Sequence, residues 1–482
     1  MLTTGLWQRF VKSLSNLRVV RRPLARTRKG YRPSGAAQVL ESRQLLSMTV
    51  SLSGSSVTFA GDAANDSLTL TVGATGLLTH NLALGGNLVS EVDLDSATAG
   101  EQSLAASNVG SLSISAGAGN DTIDASAWTG TGLWISGGDG NDIIKGGSGN
   151  DNLQGGTGND VVEGNGGNDN LYGDEQSGNG PADGNDTLRG GDGNDTLYGD
   201  NANLPWNAPF GTGSDLLDGG NGDDAMYGSD GTNQFFGGAG NDWADDGLKH
   251  SVLLTNTSYI ADGVESADHG VEGFAIEGTS GNDTIDASAW TGAGLWISGR
   301  AGNDIIKGGF GNDNLQGGTG NDVVEGNGGN DTLYGDEQSG GGSADGNDTL
   351  RGGDGNDTLY GDNANLPWNG PFGTGSDLLD GGDGNDSMYG SGGLNQFFGG
   401  VGSDSADDGL KSNVLLTNTS YIADGVESAD HGVEAFTISG TSGNDIIDAS
   451  AWTGAGLWIW GGAGNDIIKG GSGNDNLQGG TG

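Results

Sequence analysis

A nine-residue repeat is the feature that most constrains how this chain can fold. From residue 137 the chain reads GGDGNDIIK, GGSGNDNLQ, GGTGNDVVE and GNGGNDNLY. The register resumes after a spacer near Asp174 with PADGNDTLR and GGDGNDTLY, and after a second spacer, GDNANLPWNAP, with FGTGSDLLD, GGNGDDAMY, GSDGTNQFF and GGAGNDWAD. The glycines suit tight turns, and the Asn before each Asp tolerates left-handed geometry. The three residues after each Asp suffice for one short strand.

The middle residue of each predicted strand is apolar. Disorder is the alternative interpretation, because the chain has 101 glycines among 482 residues and only 33% apolar residues. A disordered chain has no reason to keep apolar residues in register, and glycine disfavours helix interiors. The pattern therefore predicts a line of buried side chains in short strands. In the first array this line is Ile144, Leu153, Val162, Leu171, Leu188, Leu197, Leu217 and Met226.

Two repeats form one coil of 18 residues with two strands and two turns. Stacked coils predict an all-β fold, a parallel β-roll or β-helix solenoid, with the apolar line inside and the glycine turns along two edges. Asp residues one coil apart then lie on the same edge, at a spacing of roughly 4.8 Å. Asp151 therefore pairs with Asp169, and Asp142 with Asp160. Carboxylates this close repel one another unless a cation lies between them.

The charge of the chain favours a cation as its partner. The net charge is −46, and residues 1–47 hold ten of the 18 basic residues but only one acid, Glu41. The remainder carries a net charge of −55. A body so acidic repels itself unless cations bind, and nucleic acid and anionic membranes are poor partners for it. No stretch reaches the roughly 18 apolar residues of a membrane span.

The nonapeptide resembles the calcium-binding repeat GGxGxDxUx of RTX (repeats-in-toxin) proteins, the hemolysin-type repeat, over most of residues 117–482. The resemblance implies multiple Ca²⁺ ions, each between two successive turns of one edge, held by turn carbonyls and the sixth-position Asp. Calcium takes about six to eight oxygen ligands, whereas magnesium demands stricter octahedral geometry. The metal ligands so implied are Asp142, Asp151, Asp160, Asp169, Asp186, Asp195, Asp215, Asp224, Asp242, Asp304, Asp313, Asp322, Asp331, Asp348, Asp357, Asp377, Asp386, Asp404, Asp466 and Asp475.

Several turns depart from this motif. Asn233 and Asn395 stand at the sixth position, so we expect their turns to bind calcium weakly or not at all. The spacers near Glu175 and Trp206 interrupt the register and predict half-formed sites beside them. Three further aspartates head blocks that lack a second turn at the expected distance, and their role stays open: Asp121, Asp283 and Asp445.

A longer repeat of 162 residues carries the arrays and sets the predicted domains. The blocks around Trp128, Trp290 and Trp452 are nearly identical, and a third array stops in mid-motif, which predicts a truncated chain. Their tryptophans suit core or coil-stacking roles better than sugar binding. The predicted domains are a basic leader (1–47), a β-rich cap (48–116), a first array (117–245), an inter-array β segment (246–277), a second array (278–407), a second inter-array segment (408–439) and the start of a third array (440–482).

The leader resembles an export signal. Residues 40–47, LESRQLLS, resemble the LEPR-XLL leader of exported bacterial proteins, with Ser42 where that pattern has proline. The resemblance implies a bacterial protein that is extracellular or on the cell surface. An array of unscreened acids should be disordered in a calcium-poor cytosol and should fold when calcium binds after export.

No catalytic set is recognisable, so we expect that the chain is not an enzyme. It has no cysteine, its four histidines suit surface loops, and GxSxG, HExxH and phosphate-binding motifs are absent. The favoured function is a calcium-binding structural or adhesive protein, with a cell-surface or matrix polysaccharide as a possible partner. The alternatives are the calcium-binding portion of a larger secreted enzyme, of protease, lipase or alginate epimerase type, or of a toxin.

Overall fold

Short strands alternate between two facing layers in the computed structural model, so that each pair of repeats forms one coil of a solenoid. The structure describes residues 48–74, 76–82, 104–174, 184–200, 211–336, 346–362, 373 and 375–482. The predicted leader over residues 1–47, Glu175 and Trp206 lie outside these residues. The all-β solenoid prediction is confirmed, because the described residues hold 41 strands and only one short 3-10 helix, Ala106–Asn108.

The strands are numbered along the chain. Those before the arrays are β1 (Thr49–Ser53), β2 (Ser56–Ala60), β3 (Ser67–Val72) and β4 (Leu78–His80). The first array contains β5 (Ser111–Ala118), β6 (Thr122–Ala127), β7 (Leu133–Asp139), β8 (Ile143–Lys145), β9 (Asn152–Thr157), β10 (Val161–Gly166), β11 (Asn170–Tyr172), β12 (Thr187–Asp192), β13 (Thr196–Tyr198), β14 (Leu216–Asn221), β15 (Ala225–Ser229), β16 (Gln234–Ala239) and β17 (Trp243–Lys249).

The later strands repeat this order. A meander of β18 (Ser251–Thr255), β19 (Ser258–Ala261) and β20 (Val264–Ala267) comes first. The second array contains β21 (Gly273–Gly278), β22 (Thr284–Ala289), β23 (Trp296–Ser298), β24 (Ile305–Lys307), β25 (Asn314–Gln316), β26 (Val323–Gly328), β27 (Thr332–Tyr334), β28 (Thr349–Asp354), β29 (Thr358–Tyr360), β30 (Leu378–Gly384), β31 (Ser387–Ser391), β32 (Gln396–Gly402) and β33 (Ser405–Lys411). The final strands are β34 (Asn413–Thr417), β35 (Ser420–Ala423), β36 (Val426–Ala429), β37 (Ala435–Gly440), β38 (Ile446–Ala451), β39 (Trp458–Trp460), β40 (Ile467–Lys469) and β41 (Asn476–Gln478).

One layer is a single sheet of 19 strands, called the continuous sheet below. It begins with the antiparallel pair β1–β2 and continues in parallel through β5 and the odd-numbered strands to β17, then through β21 to β33, and ends with β37, β39 and β41. The opposite layer consists of three sheets. Their orders are β4–β3–β6–β8–β10–β12–β14–β16, then β20–β19–β18–β22–β24–β26–β28–β30–β32, and finally β36–β35–β34–β38–β40.

The inter-array segments interrupt only this opposite layer. The three strands of the first meander pair in antiparallel fashion, while β17 pairs directly with β21 in the continuous sheet. The meander also closes the end of the preceding sheet, since the Phe235 N–H donates to Ser266 Oγ at 3.0 Å. The twin segment after β33 repeats both arrangements. Each place where a meander leaves the coil is called a junction below.

The apolar line predicted from the repeats lies between the two layers. All eight of its first-array side chains, from Ile144 to Met226, are fully buried. Trp128 is also buried, and its indole N–H donates to the Thr131 carbonyl at 2.8 Å. By contrast, Trp134 and Trp458 are about half exposed on the continuous sheet, so the core role predicted as one of two alternatives applies to Trp128 and not to these two. Among the described residues, no helix is long and apolar enough to cross a membrane.

Candidate metal centre

The sixth-position aspartates form hydrogen-bonded ladders along both edges of the solenoid. The backbone N–H of each Asp donates to Oδ1 of the Asp one coil further along the chain, at 2.6–3.0 Å. On the first edge of the first array the ladder comprises Asp66, Asp121, Asp142, Asp160, Asp186 and Asp215, and it ends at Asn233. On the second edge it comprises Asp151, Asp169, Asp195, Asp224 and Asp242, and it ends at Glu272.

The second array repeats both ladders, and the third begins them. The first edge comprises Asp283, Asp304, Asp322, Asp348 and Asp377, and it ends at Asn395. The second edge comprises Asp313, Asp331, Asp357, Asp386 and Asp404, and it ends at Glu434. In the third array Asp466 accepts from the Asp445 N–H, and Asp475 accepts from the Leu457 N–H.

The spacers do not break either ladder. Asp160 and Asp186 are 26 residues apart, yet the Asp160 N–H donates to Asp186 Oδ1 at 2.7 Å. The strands on either side of this spacer also stay in register, with Val162 opposite Leu188 in β10 and β12. The prediction that spacers interrupt the register was therefore wrong. Two strands can pair in register whatever the length of the chain that connects them, since the pairing depends only on the strands.

The second carboxylate oxygen of most ladder aspartates is buried and has no hydrogen-bond partner among the protein atoms. Buried polar atoms in folded proteins are nearly always partnered, so such a repeated exception requires an explanation. A bound cation would supply the missing partner. Among the predicted ligands, this unpartnered Oδ2 belongs to Asp142, Asp160, Asp169, Asp186, Asp195, Asp224, Asp242, Asp304, Asp322, Asp331, Asp348, Asp357, Asp377, Asp386, Asp404 and Asp466.

Glycine carbonyls face these oxygens. A Cβ atom on Gly190, the first residue of its repeat, would overlap both Asp195 Oδ2 and the carbonyl oxygen of Gly219 in the next coil. Gly155 shows the same arrangement with Asp160 Oδ2 and the Gly173 carbonyl. The first glycine is therefore required because any side chain would fill the space where a carboxylate and a backbone carbonyl converge.

Burial makes the charged form of these carboxylates unfavourable without a cation. It raises the pKa of Asp186 to about 9, with repulsion from Asp215 and Asp160 adding to the shift. It likewise raises the pKa of Asp348 to about 9 and that of Asp331 to about 8. Hydrogen bonds from the backbone oppose these shifts but do not cancel them. A cation between successive turns would stabilise the ionised form.

The donor set fits calcium. No three His, Asp or Glu side chains in the described part of the chain gather to hold a metal ion, so a cation on these edges would need backbone carbonyls as well. Calcium accepts carboxylate and carbonyl oxygens together and tolerates irregular geometry. The ladders provide both kinds of oxygen at every coil. The aspartates that were predicted as ligands are therefore placed where such an ion would bind.

Two of the predicted ligands differ from the others because their second carboxylate oxygen has a hydrogen-bond partner. The Oδ2 atoms of Asp151 and Asp313 accept hydrogen bonds from the Gly147 and Gly309 N–H groups, at 2.6 and 2.7 Å, because the tryptophan block precedes them instead of a glycine turn. Among the residues left open, Asp121 belongs to the ladder and has an unpartnered Oδ2. Asp283 and Asp445 also begin ladders, but their carboxylates accept hydrogen bonds from the hydroxyl and N–H groups of Thr279 and Thr441.

Two features of the ladders were not predicted from the sequence. Asp66 extends the first edge into the N-terminal cap, and the signal was the Asn65-Asp66 pair followed by Ser-Leu, as in the repeats. The Asn before each Asp forms a second ladder instead of a left-handed turn. For example, the Asn159 N–H donates to Asn141 Oδ1 at 3.0 Å. In the Asn ladder the later residue in the chain donates to the earlier one, whereas in the Asp ladder the earlier residue donates to the later one. Hydrogen bonds of both directions therefore join each pair of neighbouring coils.

At the end of the first edge, an asparagine amide and a lysine ammonium group stand where a bound cation would otherwise lie. Where other turns have Asp Oδ2, Asn233 places Nδ2, which donates to the Gly228 carbonyl at 2.6 Å and to Asp246 Oδ1 at 2.9 Å. Lys249 is fully buried, and its Nζ forms an ion pair with Asp246 at 2.9 Å and donates to the Ser229 carbonyl at 3.3 Å. Asn395, Asp408 and Lys411 repeat this cluster. An amide group and an ammonium group thus donate to the turn carbonyls that would otherwise be ligands. We therefore expect little calcium to bind there.

These features define the class of the protein as a parallel β-solenoid whose turns, on both edges, place buried oxygens that suit a cation. The profile of the RTX calcium-binding nonapeptide repeat (4 copies) matches residues 113–127, 134–153, 145–178, 182–203, 211–244, 275–289, 296–323, 307–340, 343–365, 373–406, 437–451 and 458–482. These segments cover more than half of the chain, so the protein belongs to this family and is a calcium-binding repeat protein. No curated protein sequence matches the chain.

Proposed function

We propose that this chain is a bacterial protein of the cell surface or extracellular space whose arrays fold when calcium binds after export. The observation that supports this proposal is the repeated buried Oδ2 atom without a partner. Without calcium, each folded coil must hold buried charges that repel one another, and the net charge of −46 opposes compaction further. RTX repeats are also typical of exported bacterial proteins.

Circular dichroism in the far ultraviolet tests the folding step. In excess chelator we expect a disordered spectrum, and calcium in the range of about 10⁻⁴–10⁻³ M should restore the β signal. Sodium chloride at matched ionic strength is the control, because it screens charge without filling the turn sites. A strong β signal in chelator at pH 8, where the ladder carboxylates of an unfolded chain are ionised, would contradict the proposal.

The role we propose is structural or adhesive rather than catalytic. The prediction of surface loops was wrong for His269 and His431, which are buried. Their rings have structural partners: His269 Nδ1 accepts from the Val271 N–H at 3.0 Å, and its Nε2 lies 3.0 Å from the Thr255 carbonyl. Burial lowers the pKa of His269, which favours its neutral form. The buried carboxylates belong mainly to the ladders. Hydrolase assays on peptide, lipid and glycan substrates should therefore show no activity, and turnover in any of them would contradict this role.

A neutral polysaccharide is the adhesive partner that we propose. Trp134 and Trp458 expose about half of their surface on the outer face of the continuous sheet. Flat aromatic faces suit sugar rings, and a neutral glycan avoids repulsion from the acidic body. Tryptophan fluorescence should change on titration with a soluble β-glucan in calcium, and the change should be smaller in a W134A/W458A variant. An unchanged spectrum would exclude this partner.

A further inference from the structure

The second-edge ladder ends at each junction on a turn that lies outside the nonapeptide pattern. At the first junction, Gly270 occupies the place of a first-position glycine. The Gly237 N–H donates to the carbonyl of His269, the residue before Gly270, at 2.7 Å. Within the array, the Gly146 N–H donates in the same way to the backbone carbonyl of Glu163, the residue before Gly164, at 2.7 Å.

Glu272 takes the place of the sixth-position Asp in this turn. The Asp242 N–H donates to Glu272 Oε2 at 2.8 Å, just as the Asp224 N–H donates to Asp242 Oδ1 at 2.9 Å. The next strand starts at Gly273, whose N–H donates to the Asp242 carbonyl at 3.1 Å. Gly270 and Gly273 are three residues apart, whereas the corresponding residues of an array turn are six apart. The turn is shorter, and the longer glutamate side chain restores the carboxylate to its ladder position.

The space inside this turn has an unpartnered ligand aimed into it. Asp242 is 1% exposed, and its Oδ2 has no hydrogen-bond partner. A Cβ atom on Gly237 would lie 2.6 Å from Asp242 Oδ2 and 2.5 Å from the Gly270 carbonyl oxygen. The same carboxylate and carbonyl oxygens converge here as in an array turn. The junction after the second array repeats every part, because Asp404 is also 1% exposed, its N–H donates to Glu434 Oε2 at 2.8 Å, and the Gly432 carbonyl faces its Oδ2.

We propose that each junction holds one further calcium site, built by Asp242, the Gly270 carbonyl and Glu272 in the first and by Asp404, the Gly432 carbonyl and Glu434 in the second. This proposal rests on calcium binding by the arrays and adds ligands that the repeat motif does not contain. It also distinguishes the two edges of each junction. The first edge ends on the ammonium group of Lys249, whereas the second edge ends on a carboxylate and is open to a metal ion.

Counting bound calcium tests the proposal. Equilibrium dialysis of the full chain at saturating calcium should give two fewer ions for the E272Q/E434Q variant than for the wild type. The matched control is E265Q/E427Q, because these glutamates lie exposed in the same meanders and the charge change is equal. The control should bind as many ions as the wild type. An unchanged number in E272Q/E434Q, or an equal loss in the control, would overturn the proposal.

A second variant separates the site from the charge and from folding. E272D/E434D keeps both charges but shortens each side chain by one methylene group, so the carboxylates no longer reach their ladder positions. We expect it to lose two ions as well, and a full complement in this variant would refute the site even if E272Q/E434Q failed to fold. A wild-type chain that binds no calcium would overturn the calcium-binding function itself. A calcium-binding wild type with unaffected glutamate variants would overturn only the junction sites.

Discussion

The Asp160 N–H donates to Oδ1 of Asp186 at 2.7 Å across a spacer that makes their separation 26 residues instead of 18. The ladder is therefore independent of the spacer length. Deletion of residues 175–182 would leave the sequence GDDGNDTLR, a nonapeptide in register. We expect the same number of bound calcium ions and a free energy of unfolding within about 0.5 kcal/mol of the wild type, measured by equilibrium dialysis and urea unfolding.

The control deletion removes residues 150–157, which are also eight residues but lie within the array. It removes Asp151 and all of β9 (Asn152–Thr157), so the array loses one ladder carboxylate and one strand of the continuous sheet. This variant should lose β signal. Equal behaviour of the two deletions would show that the array does not depend on the strand and the carboxylate of this repeat.

Removal of one ladder charge should remove a calcium ion. In D160N the amide nitrogen would take the place of Oδ2, as Asn233 Nδ2 does at the end of the first edge. We expect one fewer bound ion and a higher calcium concentration at the midpoint of folding, measured by dialysis and circular dichroism. Asp139 is the control, because it is exposed in a neighbouring turn and D139N removes the same charge. Calcium binding by D160N that equals that of D139N would argue against Asp160 as a ligand.

A methyl group at the first position of a repeat should destabilise the turn. In G190A the new Cβ would overlap Asp195 Oδ2 and the Gly219 carbonyl oxygen, and overpacking of this kind typically destabilises by about 1–3 kcal/mol. Urea unfolding in saturating calcium should show this loss, together with one fewer bound ion. The control is G166A, since the nearest atoms to its Cβ would lie 3.9 Å away. A stable G190A with full calcium binding would contradict the placement of the ion.

Calcium-free protein should be stabilised by acid. Burial raises the pKa of Asp160 from 3.8 to about 7, so the folded solenoid binds protons more tightly than the unfolded chain does. For Asp186 the pKa in the fold is about 9. The stabilisation by bound protons is complete below about pH 4 and is lost as pH rises through 7 to 9. Calcium-depleted protein should therefore show more β signal at pH 5 than at pH 8. A signal independent of pH over this range would contradict the raised pKa values.

The ion pair at the end of the first edge should stabilise the junction even when calcium is saturating. K249M would leave the buried Asp246 carboxylate without its cationic partner, and breaking such a pair typically destabilises by about 3–5 kcal/mol. Lys145 provides the control, because its pair with Glu163 is 37% exposed on the lysine side and K145M should change stability by less than about 1 kcal/mol. Urea unfolding in saturating calcium compares the two. Equal effects would show that burial of the Lys249 pair has no energetic consequence.

The repeat pattern allowed the fold to be predicted because each coil depends on local information. Leu153 is apolar and central in its strand, and the structure buries it fully. The pairing of Asp151 with Asp169 followed from the 18-residue coil, and the two residues share a 2.7 Å hydrogen bond. Such contacts recur at a fixed separation, so the sequence period is enough to determine them.

The ends of the ladders could not be predicted in this way. Glu272 reaches the ladder only because β17 pairs with β21 and leaves the meander outside the continuous sheet. Lys249 is one of few basic residues in an acidic region, and only the packing of the junction shows that it is buried against Asp246. The sequence by itself determined the coil, its core and the carboxylates of its edges. The tertiary structure alone decided which turns continue across spacers and how each edge ends, because these depend on which distant strands pair and not on any local period.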